Sequence, residues 1–148
     1  MFNVYDKIIS ICRPRISTDN EFFVIQNVKD VCRASVGRNN GKNRFLSLDP
    51  DLCQTKSIYH EMLHAIGILH EHARTDRDNY IKIHTANIPY GFDSEFILRK
   101  KSDNMNLPYD ATSLMHYTTK QGSGTDHTIT SKVNVILILN LILAQKNL

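Results

Sequence analysis

The stretch "HEMLHAIGILHEH", His60 to His72, holds four histidines, two glutamates and one glycine. On a helix, residues four apart share a face, so His60 and His64 present their imidazoles side by side. Two rings at that spacing chelate one zinc ion. Glu61 follows the first ring, where its carboxylate reaches a metal-bound water rather than the metal, completing an H-E-x-x-H arrangement. His70 would point away from both rings on a continuing helix. Gly67 lets the chain turn, because glycine takes positive φ without steric cost, and the turn brings the third ring back. Three protein nitrogens leave a zinc position open, as catalytic sites do and closed structural sites do not. Zinc to activate water, Glu61 to carry the proton and donors for an oxyanion are the parts of a peptide-bond hydrolase.

The remaining histidines carry less. His72 is expected to face elsewhere, at the surface or behind the ligands. His84 and His127 have no partner pattern and read as ordinary structural residues. His116 stands beside Tyr117 in "SLMHY".

These groups need elements to position them. Ile58, Met62, Ala65, Ile66 and Leu69 recur at spacings of three and four, which predicts a helix from Lys56 with that stripe buried and Gly67 near its end. Upstream, "EFFVIQNV" at Glu21–Val28 is rich in strand formers. "RNNGKN" at Arg38–Asn43 is turn chemistry between "ASV" and "RFLSL", predicting a hairpin-like pair that Asp49-Pro50 ends. "NVYDKIISI" has a weak helical spacing, ended by Pro14. Downstream, "YIKIH" predicts a short strand. "GFDSEFILRK" predicts a second helix with Phe92, Phe96 and Ile97 as its apolar side, and "LPYDATSLMHY" is turn-rich. Strands, a helix, then a mostly irregular half with one further helix make an α+β domain.

Composition narrows the rest. A chain of 148 residues suits one domain. The apolar and charged fractions exclude disordered and collagen-like classes. A net charge of +3 gives no argument for nucleic acid or an anionic membrane, and "LRKK" reads as a solvated helix end. The most apolar stretch, Val133 to Ala144, is shorter than the roughly 17–25 residues of a membrane span and is interrupted by Asn134 and Asn140. It reads as a terminal core element or an altered C-terminus. Asp6 and Lys7 interrupt any signal-peptide core near Met1. Cys32 and Cys53 flank a segment that could close a disulfide loop worth about 3 kcal/mol. Cys12 is then left over, ordinary in a cytosolic protein and anomalous in a secreted one.

The run from His60 to Tyr80, "HEMLHAIGILHEHARTDRDNY", resembles the astacin family of zinc metalloendopeptidases, within the metzincins. Glu71 directly after the third histidine, "RTDRDNYIKI" and the Met-turn "SLMHY" carry the resemblance, and "VCRASVGRNNGKNRFLSLDPDLC" extends it upstream. The resemblance implies a metzincin-like α+β fold: a small twisted sheet with the active-site helix, and a mostly irregular lower part with one helix. It implies one catalytic Zn2+ on His60, His64 and His70, with Glu61 as general base. Met115 would be the apolar floor of the site. Tyr117 would be an additional ligand that swings away to stabilise the tetrahedral intermediate. It also implies a Cys32–Cys53 disulfide, a cleft edge near Arg33–Val36 where an extended peptide docks by strand addition, peptide or protein substrates, and secreted or membrane-tethered zymogens.

The ends depart from the family. Its opening strand and most of its first helix are missing, as are the last helix and the closing cysteine that would pair with Cys12. The expectation is therefore one partial catalytic domain over residues 1–148, with a divergent apolar tail at 132–148. Glu71 lacks the mature N-terminal ammonium that it meets in the family. The competing reading is a truncated zinc-binding relic or a peptide-binding module without catalysis. Retention of Glu61, all three ligands and Tyr117 favours the peptidase.

Overall fold

A computed structural model describes residues 16–38, 44–99, 104, 106–121 and 126–132. The chain divides into two compact units, Met1–Gly67 and Ile68–Leu148.

In the first unit, β1 (Phe23–Gln26), β2 (Cys32–Ala34) and β3 (Arg44–Leu48) form a sheet in the order β1-β3-β2. β3 is central and lies parallel to β1 and antiparallel to β2, with Cys32 opposite Leu48. The hairpin-like pairing expected across "RNNGKN" is present, although residues 39–43 lie outside the described set. β1 is shorter than Glu21–Val28. Cys32 and Cys53 are disulfide-bonded with their Cα atoms 5.7 Å apart, which ties the start of β2 to the residue just ahead of the helix. Asp49 closes the same end. Its carboxylate accepts the Asp30 amide at 2.6 Å and the Asp51 amide at 2.9 Å, while its own amide donates to the Val31 carbonyl at 2.9 Å.

The helix α1 runs over Thr55–Ala65 and packs against β2 and β3. It stops short of Leu69. The apolar stripe is only partly buried: Ile58, Ala65 and Leu69 are half-buried, Met62 and Ile66 are 40% and 43% exposed, and His64 is the buried helix residue. Spacing shows which side chains share a face but not which face the sheet covers. The side of α1 carrying Glu61 meets the sheet, and the Ala34 backbone hydrogen-bonds that carboxylate.

Two glycines end α1. Gly67 sits at φ +103° and Gly37 at φ +57°, both in the region that side chains avoid. Both amides donate to the His64 carbonyl at 2.9 Å. A Cβ on Gly37 would lie 3.1 Å from the Gly67 Cα, so the two backbones touch where a side chain has no room.

In the second unit, β4 (Ile81–Ile83) pairs antiparallel with β5 (Ile129–Ser131), Ile83 opposite Ile129. Ile81, Phe96 and Ile129 form the buried core, flanked by Tyr80, Ile83, Ile88, Tyr109 and Tyr117. The other described residues of this unit are irregular chain with single 3-10 turns at Glu71–Ala73, Arg77–Asn79, Thr85–Asn87 and Asp93–Phe96. The second helix expected over Gly91–Lys100 reduces to the last of these. Phe96 is buried, but Phe92 and Ile97 are 49% and 61% exposed. Without a continuous apolar face to bury, a short helix lacks the packing that offsets its nucleation cost. Irregular backbone inside a core still needs hydrogen-bond partners. Arg77 supplies them, donating from Nη1 to the His72 carbonyl at 3.1 Å and to the Phe96 carbonyl.

The expected helix near Val4–Ile11, Cys12 and the apolar tail beyond Lys132 lie outside the described residues. Among the described residues no helix is long and apolar enough to cross a membrane.

Candidate metal centre

His60 and His64, one turn apart on α1, stand edge-on with ring centroids 4.6 Å apart. His64 is buried and His60 half-buried. His70 follows the Gly67 turn in extended backbone, φ −63° and ψ 136°. One ligand atom from each of the three histidines lies within 4.8 Å of the others. Zinc takes imidazole nitrogen at about 2.0–2.1 Å, so three nitrogens gathered this closely, with no hard oxygen donor among them, fit one zinc ion. The glycine logic read from the sequence therefore holds: two rings on the helix, a turn, a third ring returned.

Glu61 follows His60 on the helix. Burial raises its pKa above the usual carboxylate value, against the opposing effects of the His60 charge and the Ala34 backbone hydrogen bond.

The second unit builds the surroundings of His70. Tyr117 lies 4.5 Å from it, ring to ring, and His72 lies 5.3 Å away, nearly parallel. Of the two places expected for His72, at the surface or behind the ligands, the structure gives the second: it is fully buried. It stacks on Tyr117 at 3.9 Å, and its Nε2 donates to the Glu95 carbonyl at 2.9 Å. Burial pushes its pKa down to about 4, so the ring is neutral at physiological pH. The 3-10 turn at Glu71–Ala73 re-aims it inward, and nothing in the histidine spacing signals that turn.

Met115 is buried, and its carbonyl accepts the Glu71 amide at 2.9 Å, so the Met-turn abuts the residue after the third histidine. The Tyr117 hydroxyl donates to Glu95 Oε2 at 3.3 Å. His116 bonds the Tyr109 hydroxyl through Nε2 at 2.7 Å and the Tyr117 carbonyl through Nδ1 at 2.6 Å. Glu71 Oε1 accepts Arg74 Nη1 at 3.0 Å and the Asp110 amide at 2.8 Å. His84 bonds Thr130 Oγ1 at 2.8 Å, joining β4 to β5, and His127 is exposed, in keeping with ordinary roles. Glu95, Tyr109 and Arg74 escaped the residue-by-residue reading. Arg74 was legible only as part of "RTDRDNYIKI", Glu95 lies in the 3-10 turn Asp93–Phe96 with no signal for its contact, and Tyr109 is brought in by a loop that no periodicity marks.

A helix-borne histidine pair, a third histidine after a glycine turn and a buried methionine backbone-bonded beside it define the metzincin class of zinc peptidase. Residues 8–145 match the model of the Astacin family of peptidases, and the chain belongs to that family. It is 43% identical over 106 residues to the zinc metalloproteinase nas-14 of Caenorhabditis elegans, covering 68% of this chain and 21% of that one. It is 39% identical over 106 residues to meprin A subunit beta of Rattus norvegicus, covering 70% of this chain and 15% of that one. Among solved structures it is similar to high choriolytic enzyme 1, a hatching enzyme zinc-protease from Oryzias latipes, with a TM-score of 0.73 and 32% identity. That match covers 82% of this chain and 60% of that one. The chain thus spans about a fifth or less of these two curated relatives, which are much longer proteins.

Proposed function

We propose that residues 1–148 form part of a single astacin-type catalytic domain that hydrolyses internal peptide bonds of protein substrates outside the cell. The observation that carries the reading is the convergence of His60, His64 and His70 next to Glu61 on one segment. His60, His64 and His70 would hold the zinc ion, which would supply Lewis acidity and lower the pKa of a coordinating water toward neutrality. Glu61 takes a proton from the attacking water and returns it to the departing amine, a role its place directly after His60 supports. Tyr117, whose ring stands beside that of His70, would be an additional zinc donor before substrate binds and a hydrogen-bond donor to the oxyanion afterwards. Met115 is the apolar floor. β2 is an outer strand of the described sheet, so an extended peptide can add to its edge near Arg33–Val36.

The test is hydrolysis of casein or a quenched peptide by refolded chain with zinc, beside a chelator control and Glu61→Ala. Activity abolished by both controls is expected, and activity surviving both would refute the mechanism. Tight zinc and peptide binding without cleavage would favour a binding module.

A further inference from the structure

The third histidine sits in irregular chain, and the groups that hold that chain still are not ligands. Arg74 is buried, and every hydrogen of its guanidinium has an acceptor. Nε and Nη2 take the two carboxylate oxygens of Asp76 at 2.9 and 2.8 Å. Nη1 donates to Glu71 Oε1 at 3.0 Å and to the Pro108 carbonyl at 3.2 Å. Nη2 also donates to the Leu107 carbonyl at 2.9 Å. The same Glu71 oxygen accepts the Asp110 amide, and the Glu71 amide reaches the Met115 carbonyl.

We infer that Arg74 is a positioning residue of the metal site: through Glu71 it fastens the backbone carrying His70 to the Leu107–Asp110 segment, and so sets where the third imidazole stands. In the family, the mature N-terminal ammonium is expected to meet the carboxylate at the position of Glu71. Among the described residues, an internal guanidinium and a backbone amide both meet its Oε1. A point charge would not serve in place of Arg74. Its acceptors, two carboxylates and two carbonyls, are met by a planar fork that an ammonium cannot reproduce. Groups behind a metal ligand commonly change metal affinity about 10–100-fold when lost, because a displaced ligand binds at the wrong angle. The inference rests on the reading of the three histidines as a zinc site.

The test is zinc affinity of the full chain, by competition with a chromophoric chelator, together with the visible spectrum of the cobalt-substituted chain. Arg74→Lys and Glu71→Ala are each expected to weaken zinc by about 10–100-fold and to alter the cobalt bands. Their combination should weaken it less than the two losses multiplied, because they act through one shared contact. Glu71→Gln, which keeps an oxygen acceptor, should recover much of the Glu71→Ala loss. Asp49→Asn is the control: Asp49 ties the Asp30 and Asp51 amides in the first unit and touches neither Arg74 nor Glu71, so it should lower the stability of the zinc-free chain and leave zinc affinity unchanged. Arg74→Lys binding zinc as tightly as the parent overturns the inference, as does affinity falling with stability alike in all the variants. Should Arg74→Lys not fold, the Glu71 pair decides. A parent chain that binds zinc and cleaves nothing removes the peptidase reading alone, whereas a parent that binds no zinc removes both.

Discussion

The two units hold their histidines by different means. In the first, regular backbone does the work: a helix presents His60 and His64, a sheet backs it, and two glycine amides cap it at the His64 carbonyl. In the second, His70 sits in chain with almost no regular structure, and buried polar side chains replace the missing ladders. Arg74 and Arg77 are both about nine-tenths buried, at 8% exposure each. A ladder satisfies backbone groups wherever it runs, so single side chains matter little to it. An irregular segment depends on a few named donors, so losing one leaves buried carbonyls unpaired.

That contrast makes graded predictions. The largest effect is expected from Arg77→Ala. It strands the His72 and Phe96 carbonyls, which at the usual cost of buried unpaired groups amounts to about 4 kcal/mol. Hydrogen exchange should rise around His72 and Phe96, and equal opening of β1–β3 would erase the contrast.

Acid should come next. His72 has a folded pKa below its ordinary value, so the unfolded chain takes up the proton first as pH falls. Stability is kept above about pH 6.5 and is lost between there and about pH 4, a total of about 3 kcal/mol. Denaturant titrations of chelator-treated chain should show this loss, and His72→Gln should remove it. In the first unit, the Asp30 and Asp51 amides hold the Asp49 carboxyl below its usual pKa. Its contribution is therefore present above that value and lost only in stronger acid. A first unit that opened before the second between about pH 6.5 and about pH 4 would contradict the assignment of the two groups.

Gly37→Ala should cost about 2 kcal/mol, from the left-handed backbone and the contact with Gly67. Because it strains the turn after His64, it should also weaken zinc binding. Unchanged zinc affinity in this variant would mean that Gly37 shapes the sheet and not the site. The smallest change is expected from Asp49→Asn, a modest fall in denaturation midpoint at neutral pH.

Much of the first unit was legible, because helix spacing and turn chemistry are local signals. The helix, the glycine break and the hairpin pairing all follow from neighbours within a few positions. The exposure of Met62 and Ile66 was not legible, since periodicity does not say which face is covered. In the second unit the single turn at Asp93–Phe96 replaced an expected helix, and His72 proved buried. Both outcomes depend on segments distant in the chain that supply or withhold packing.

Local spacing already specified the metal-binding set: three imidazoles that a helix and a glycine turn bring together. Tertiary structure alone decided what holds the third imidazole in place. Arg74 meets Leu107 and Pro108 across more than thirty positions of sequence, and no local pattern encodes a hydrogen bond between segments that only folding brings within about 3 Å.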